Sequence, residues 1–168
     1  SSDRITPSGW GFYVDDNSGI ALNVPANVGS AVAFTCNGLD AQTNEVYLPR
    51  ALIGNGNLWD TSSNHIEAFV EGDSYDFRIQ FNITGVSANP DRITAVLDIG
   101  GTSSITIPIS EDTKSITGTP QTMIFTFPYF TLASFITNGG QIFLYTDSGS
   151  ADLEDRSVFI ERISSGAS

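Results

Sequence analysis

Nine consecutive residues, YDFRIQFNI from Tyr75 to Ile83, alternate without a break. Tyr75, Phe77, Ile79, Phe81 and Ile83 fall on one side, and Asp76, Arg78, Gln80 and Asn82 on the other. A repeat of two sends successive side chains to opposite faces of an extended chain and cannot line one face of a helix, so this segment is a strand with one buried face. The same reading applies to AVAFTC (31–36), HIEAFV (65–70), RITAVLDI (92–99), SITIPI (104–109), TMIFTFPYF (122–130), QIFLYT (141–146) and SVFIERI (157–163), all rich in β-branched and aromatic residues. GWGFYV (9–14) and GIALNV (19–24), separated by the turn-forming DDNS, are expected to make an opening hairpin.

Turn residues stand between these segments, among them Asn37-Gly38, Gly72-Asp73, Asn138-Gly139-Gly140 and Ser148-Gly149-Ser150. Glycine and asparagine tolerate positive φ, so each cluster reverses the chain at little cost. Helical periodicity is confined to a turn or two at Leu39 to Glu45 and at Thr131 to Thr137. Pro108 and Pro128 interrupt strand patterns and lack a donor for the ladder, which predicts edges, strand ends or bulges for both. About ten short antiparallel strands with little helix and no internal repeat predict an all-β jelly-roll sandwich. Residues 1–8 are expected to form an extended arm, with residues 9–168 making one sandwich domain.

A chain of 168 residues can bury roughly 70% of its unfolded surface, and 18 aromatic residues supply the apolar area to do so. No apolar run approaches the roughly 20 residues of a membrane-spanning helix. Seven basic residues against 19 acidic ones give a net charge of -12, which repels phosphate backbones and argues against nucleic acid as a partner. One cysteine, Cys36, makes no intrachain disulfide, and one histidine, His65, cannot supply a site of several imidazoles. No cofactor or metal is expected. SSDRITPSGW carries neither a basic segment followed by an apolar stretch nor a small-residue cleavage site, so no secretory signal is expected within it.

Each residue type with catalytic potential has a plainer reading. Asp147-Ser148-Gly149 matches the tripeptide of aspartic proteases, whose two aspartates share a proton, but it occurs once and reads better as a turn. Asp147, Asp152, Glu154 and Asp155 offer hard oxygen ligands of the kind calcium takes, without the spacing of an EF-hand loop. They read as a solvated loop, as do Asp15 and Asp16. His65 lies near Ser62 and Ser63, yet no Gly-x-Ser-x-Gly segment builds a nucleophile turn. Cys36 shares a strand face with Val32 and Phe34, which predicts a buried, unreactive thiol. Asn82-Ile83-Thr84 is a formal glycosylation sequon. Trp10 and Trp59 could stack on a sugar ring, although large aromatics more often belong to a core or an interface. The 19 acids leave glycan cleavage open, but no spacing singles out a carboxylate pair.

Several strands are apolar on both sides. Ile142 and Leu144 oppose Phe143 and Tyr145; Met123, Phe125, Phe127 and Tyr129 oppose Ile124 and Phe130; Val158 and Ile160 oppose Phe159 and Ile163. A two-layer sandwich covers only the inner face of each sheet, so the outer aromatics need another cover, and a second subunit is the simplest one. Phe143, Tyr145 and Phe159 are the expected oligomer contact.

The run TLASFITNGGQIFLYTDSGSADLEDRSVFIERI (131–163) resembles the closing part of tumour-necrosis-factor and C1q-like jelly rolls: a segment ending in Asn-Gly, a strand, an acidic excursion and a final strand. EGDSYDFRIQFNITG and RITAVLDIGG are similar to the middle strands of that fold, and the likeness spans about Asn64 to Ile163. The variant it looks most like is the compact trimer that tailed bacteriophages carry on the outside of the head. That resemblance implies a viral, non-enzymatic homotrimer, a capsid decoration protein that cements the major capsid protein on the outer surface of the virion. It also implies that the arm, with Ser1, Ser2, Asp3, Arg4, Ile5, Thr6 and Pro7, reaches the shell. A receptor- or glycan-binding knob of a phage fibre or spike, and a glycan-active enzyme, are the alternatives from other classes.

Overall fold

The structure is a computed structural model that describes residues 9–49, 52, 56–88, 90–98, 106–113 and 117–166. The expected arm residues Ser1, Ser2, Asp3, Arg4, Ile5, Thr6 and Pro7 lie outside the described residues. The strands are β1 (Gly9–Val14), β2 (Leu22–Pro25), β3 (Val32–Ala33), β4 (Trp59–Asp60), β5 (His65–Ile66), β6 (Ser74–Ser87), β7 (Arg92–Asp98), β8 (Thr106–Asp112), β9 (Gln121–Phe130), β10 (Gln141–Thr146) and β11 (Ser150–Ser164). A 3-10 turn covers Val28–Ser30, and one short helix, α1, covers Ala133–Asn138.

The strands make two facing sheets, with every strand pair antiparallel, and the architecture is the expected all-β jelly roll. The first sheet runs β1-β11-β6-β9, with β2 also on β11; the second runs β3-β10-β7-β8; β4 and β5 form a small ribbon. Both interrupting prolines lie on edge strands, Pro108 on β8 and Pro128 on β9, where a missing donor harms the ladder least. Phe77, Ile79 and Phe81 on β6, Phe125 and Phe127 on β9, and Val158 and Ile160 on β11 point inward to meet Ile93, Ala95 and Leu97 on β7 and Ile142 and Leu144 on β10. Trp59 stacks on Phe77 at 6.3 Å, and Phe34 packs against Phe81 at 6.2 Å, so the space between the layers is filled largely by rings. Among the described residues no helix is long and apolar enough to cross a membrane.

Three local expectations need correction. GWGFYV and GIALNV do not pair with each other; β1 takes Ser157 to Arg162 of β11 and β2 takes Ser150 to Leu153 of the same strand. The reason is the Asp15 carboxylate, which accepts from Asn17 N (2.9 Å) and Asn37 N (2.9 Å) and turns the chain away from a tight hairpin, while the fifteen residues of β11 are long enough to hold both segments in succession. Leu39 to Glu45 holds no helix. Asp40 and Asn44 accept from the backbone N–H two residues on, at 2.9 Å each, and Asn44 exchanges backbone hydrogen bonds with Phe12. Third, strand pairing in AVAFTC is limited to Val32 and Ala33, and in HIEAFV to His65 and Ile66. The segment after β3 is held by side chains instead, as when Asn64 Oδ1 accepts from Cys36 N at 2.8 Å.

Candidate subunit-contact face

The outward side chains of the first sheet form rows set by strand register. One row runs Phe12, Phe159, Arg78, Thr126; the next runs Trp10, Glu161, Asp76, Pro128; on the other side lie Val14, Ser157, Gln80, Ile124. The face is mixed: β1, β9 and β11 contribute apolar side chains and β6 contributes the polar Asp76, Arg78 and Gln80, and among the described residues the β9 side of the face and the end of β11 are left open. Ile124 is 47% exposed, Phe130 61% and Ile163 49%.

Along one side of this face four planar groups stack in sequence. Tyr47 lies 5.2 Å from Trp10, Trp10 lies 5.9 Å from Phe159, and the Arg78 guanidinium carbon stands 5.2 Å over the Phe159 ring. Trp10 N donates to Tyr47 O at 2.8 Å, so the loop carrying Tyr47 runs beside β1 on the side away from β11. Trp10 is therefore flanked on both sides, and neither ring face is left open for a sugar. Trp59, the other tryptophan considered for that role, is fully buried and donates to Cys36 O at 3.0 Å; it is a core residue.

Two hollows lie on either side of the Arg78–Phe159 pair. One, of about 230 Å³, is bordered by Phe12, Gln42, Gln80, Asp155 and Ser157. The other, of about 150 Å³, is bordered by Asp76, Thr126 and Glu161. Asp155 stands at a left-handed backbone position, φ 51, and both its carboxylate oxygens are taken, one by Asn17 Nδ2 at 2.6 Å and one by Asn82 Nδ2 at 2.8 Å. Asn82 Oδ1 also accepts from Thr122, so the amide of the formal sequon is held at both ends.

The three residues expected at an oligomer contact do not share a surface. Phe159 is half-buried on the outer face of the first sheet, whereas Phe143 and Tyr145 are half-buried on the outer face of the second, where Phe143 is flanked by Ala33 and Val96. These two faces point away from each other. Trp10, read from sequence as a sugar-stacking, core or interface residue, accompanies Phe159, as do Phe12 and Arg78, which escaped that reading although GWGFYV carries the same signal: Trp10, Phe12 and Val14 oppose Tyr13 as apolar residues on both sides of one strand.

The remaining candidates are structural. Asp147 Oδ1 accepts from Asp91 N and Arg92 N at 3.1 Å each and fixes a turn. Asp152 pairs with Asn23 Nδ2 at 3.0 Å. Ser62 Oγ donates to Asp60 at 2.7 Å and makes no nucleophile pair with His65. Cys36 is fully buried, and burial pushes its thiol up to about 12, so it stays protonated. Among the described residues no group of three or more His, Cys, Asp or Glu is placed to hold a metal ion.

No protein-family model matches the sequence, and no curated relative does. Among solved structures the chain is similar to Eiger TNF from S. frugiperda, with 11% identity, 97% of each chain covered and a TM-score of 0.55. At that identity the likeness is one of fold, and it supports the TNF-like jelly roll. The PRD1 vertex protein P5 matches with 13% identity over 95% of this chain and 73% of that one, at a TM-score of 0.45. A structure of infectious bursal disease virus, Gx strain, matches with 11% identity over 93% of this chain and 32% of that one, at 0.43. Both fall below the level at which a shared fold can be argued.

Proposed function

We propose that this chain is a structural protein of a virus particle, a homotrimer that decorates and cements the outer surface of a bacteriophage head. One observation carries the reading: the outer face of the five-stranded sheet, where Ile124, Phe130 and Ile163 are exposed beside the half-buried Trp10, Phe12 and Phe159 among the described residues. An apolar face of this kind marks a contact with another protein surface. The resemblance to phage head proteins then makes that surface a sister copy, and makes the major capsid protein the second partner.

The subunit contact includes the Phe159 face and not the opposite one. Surfaces on opposite sides of a sandwich stack copies into an open row, whereas a closed ring needs two patches inclined toward each other. Phe143 and Tyr145 therefore fall outside it. Cementing needs no chemistry. A trimer that spans several shell subunits binds only the assembled lattice, and bound free energy stabilises that lattice by mass action.

The test is to measure the mass of the purified protein in solution and to mix it with undecorated heads for imaging. A trimer that binds regular positions on the shell is expected. A monomer, or a trimer that ignores heads, overturns the reading; retention on a glycan array would then favour a fibre or spike knob, and turnover of a glycan would favour an enzyme.

A further inference from the structure

Charge on the outer face of the first sheet is laid out but not paired. Among the described arginines, Arg92, Arg156 and Arg162 each stand in an ion pair, with Asp112, Asp15 and Asp73. Arg78 does not: its guanidinium is exposed and rests on the Phe159 ring. One row further along the same face, Asp76 and Glu161 sit directly opposite each other on β6 and β11. Like charges in register across two strands repel and cost the sheet stability, and no described residue makes an ion pair with either. Arg78, Asp76 and Glu161 border one hollow of about 150 Å³, together with the Phe159 ring.

The occupant that fits a face with one unpaired cation beside two unpaired anions is a second copy of this chain, which can offer an anion to the cation and a cation to the anions. Each chain carries a net charge of -12, so copies repel at long range and associate only where the contact itself is complementary. We infer that Arg78 of one subunit pairs with Asp76 and Glu161 of a neighbouring copy, and that this pairing fixes the register of the assembly. The inference rests on the proposed trimer. Stacking on Phe159 holds the guanidinium in place before contact, so little side-chain freedom is lost when the pair forms, and the flanking rings exclude water from it. In a cyclic assembly every contact is the same, so each subunit gives its arginine to one neighbour and its carboxylates to the other.

The experiment compares the wild-type chain with four surface variants by sedimentation and light scattering, with thermal melts to show that each is folded. Arg78→Glu sets three anions against one another and should weaken assembly by about tenfold or more. Asp76→Arg with Glu161→Arg should weaken it as well, even though it removes net negative charge. All three substitutions together invert every charge and should restore assembly. Arg78→Gln, which leaves a neutral group over Phe159, should give a smaller loss in the same direction. If Asp76→Arg with Glu161→Arg assembles more tightly than wild type, net charge alone governs association and the pairing is wrong. Failure of the folded triple variant to reassemble, or no response to Arg78→Glu in a wild type that is trimeric, overturns it equally. A monomeric wild type instead removes the trimer itself.

Discussion

Arg156 and Asp15 meet inside the protein, Nη2 to Oδ2 at 3.4 Å, with both side chains almost wholly buried. The guanidinium also donates to Thr35 O and to Leu153 O, each at 2.7 Å, so one side chain ties the end of β1, the segment after β3 and the irregular stretch of β11. Removing one member of such a pair strands the other charge away from water. Arg156→Ala is expected to destabilise the fold by about 3–5 kcal/mol, read from urea unfolding. A loss below about 1 kcal/mol would mean that water reaches Asp15 readily.

Tyr129 presents the opposite case. Its ring is sandwiched between Tyr75 and Phe135, each at 5.3 Å, while its hydroxyl is the buried side-chain polar atom without a partner among the described residues. Burial drives its proton affinity well above the usual phenol range. Tyr129→Phe keeps the ring and deletes the orphan group, so it should raise stability by about 1 kcal/mol, a rise of about 2–4 °C in Tm.

Glu67 gives a pH dependence. Burial, then the charge of Asp60, raises its carboxyl above the ordinary 4.5, with His65 opposing. A carboxyl raised by folding favours the fold when protonated; its contribution is complete below 4.5 and is lost as pH climbs through the higher folded value. Glu67→Gln should therefore melt above wild type at neutral pH, with the gap closing in acid. Melts from acid to neutral pH that run parallel would count against it.

Gly149 holds φ at +63, and a Cβ there would meet the carbonyl oxygens of Ser87 and Ala88. Gly149→Ala should cost about 1–3 kcal/mol from strain alone, more if Ser87 cannot retreat. Equilibrium unfolding measures it.

The two outer faces can be separated in solution. Phe159→Ala is expected to leave a folded but dissociated chain, and Phe143→Ala with Tyr145→Ala a chain of unchanged mass. The reverse result would move the contact to the second sheet.

Much of this was legible in advance, for reasons that differ by residue. Alternation in YDFRIQFNI fixed which side chains of β6 face inward, and the missing donors of Pro108 and Pro128 sent their strands to the sheet edges. The failures share one cause. Whether β1 pairs with β2 or with β11, whether Trp59 is covered, and which outward aromatics share a face all depend on partners more than a hundred residues away in β11 or on the opposing layer. Arg78 was visible as one polar position among four, but its place over Phe159 comes from cross-strand register, which a single strand does not encode.

The position of β11 has a consequence for how the molecule comes into being. It lies between β1 and β6, so β1 has no seat in its sheet until β11, far downstream in the chain, has been made. Closing that gap joins two segments far apart in the sequence, a slow, loop-costly step, and so the sandwich completes itself only after synthesis has passed residue 162.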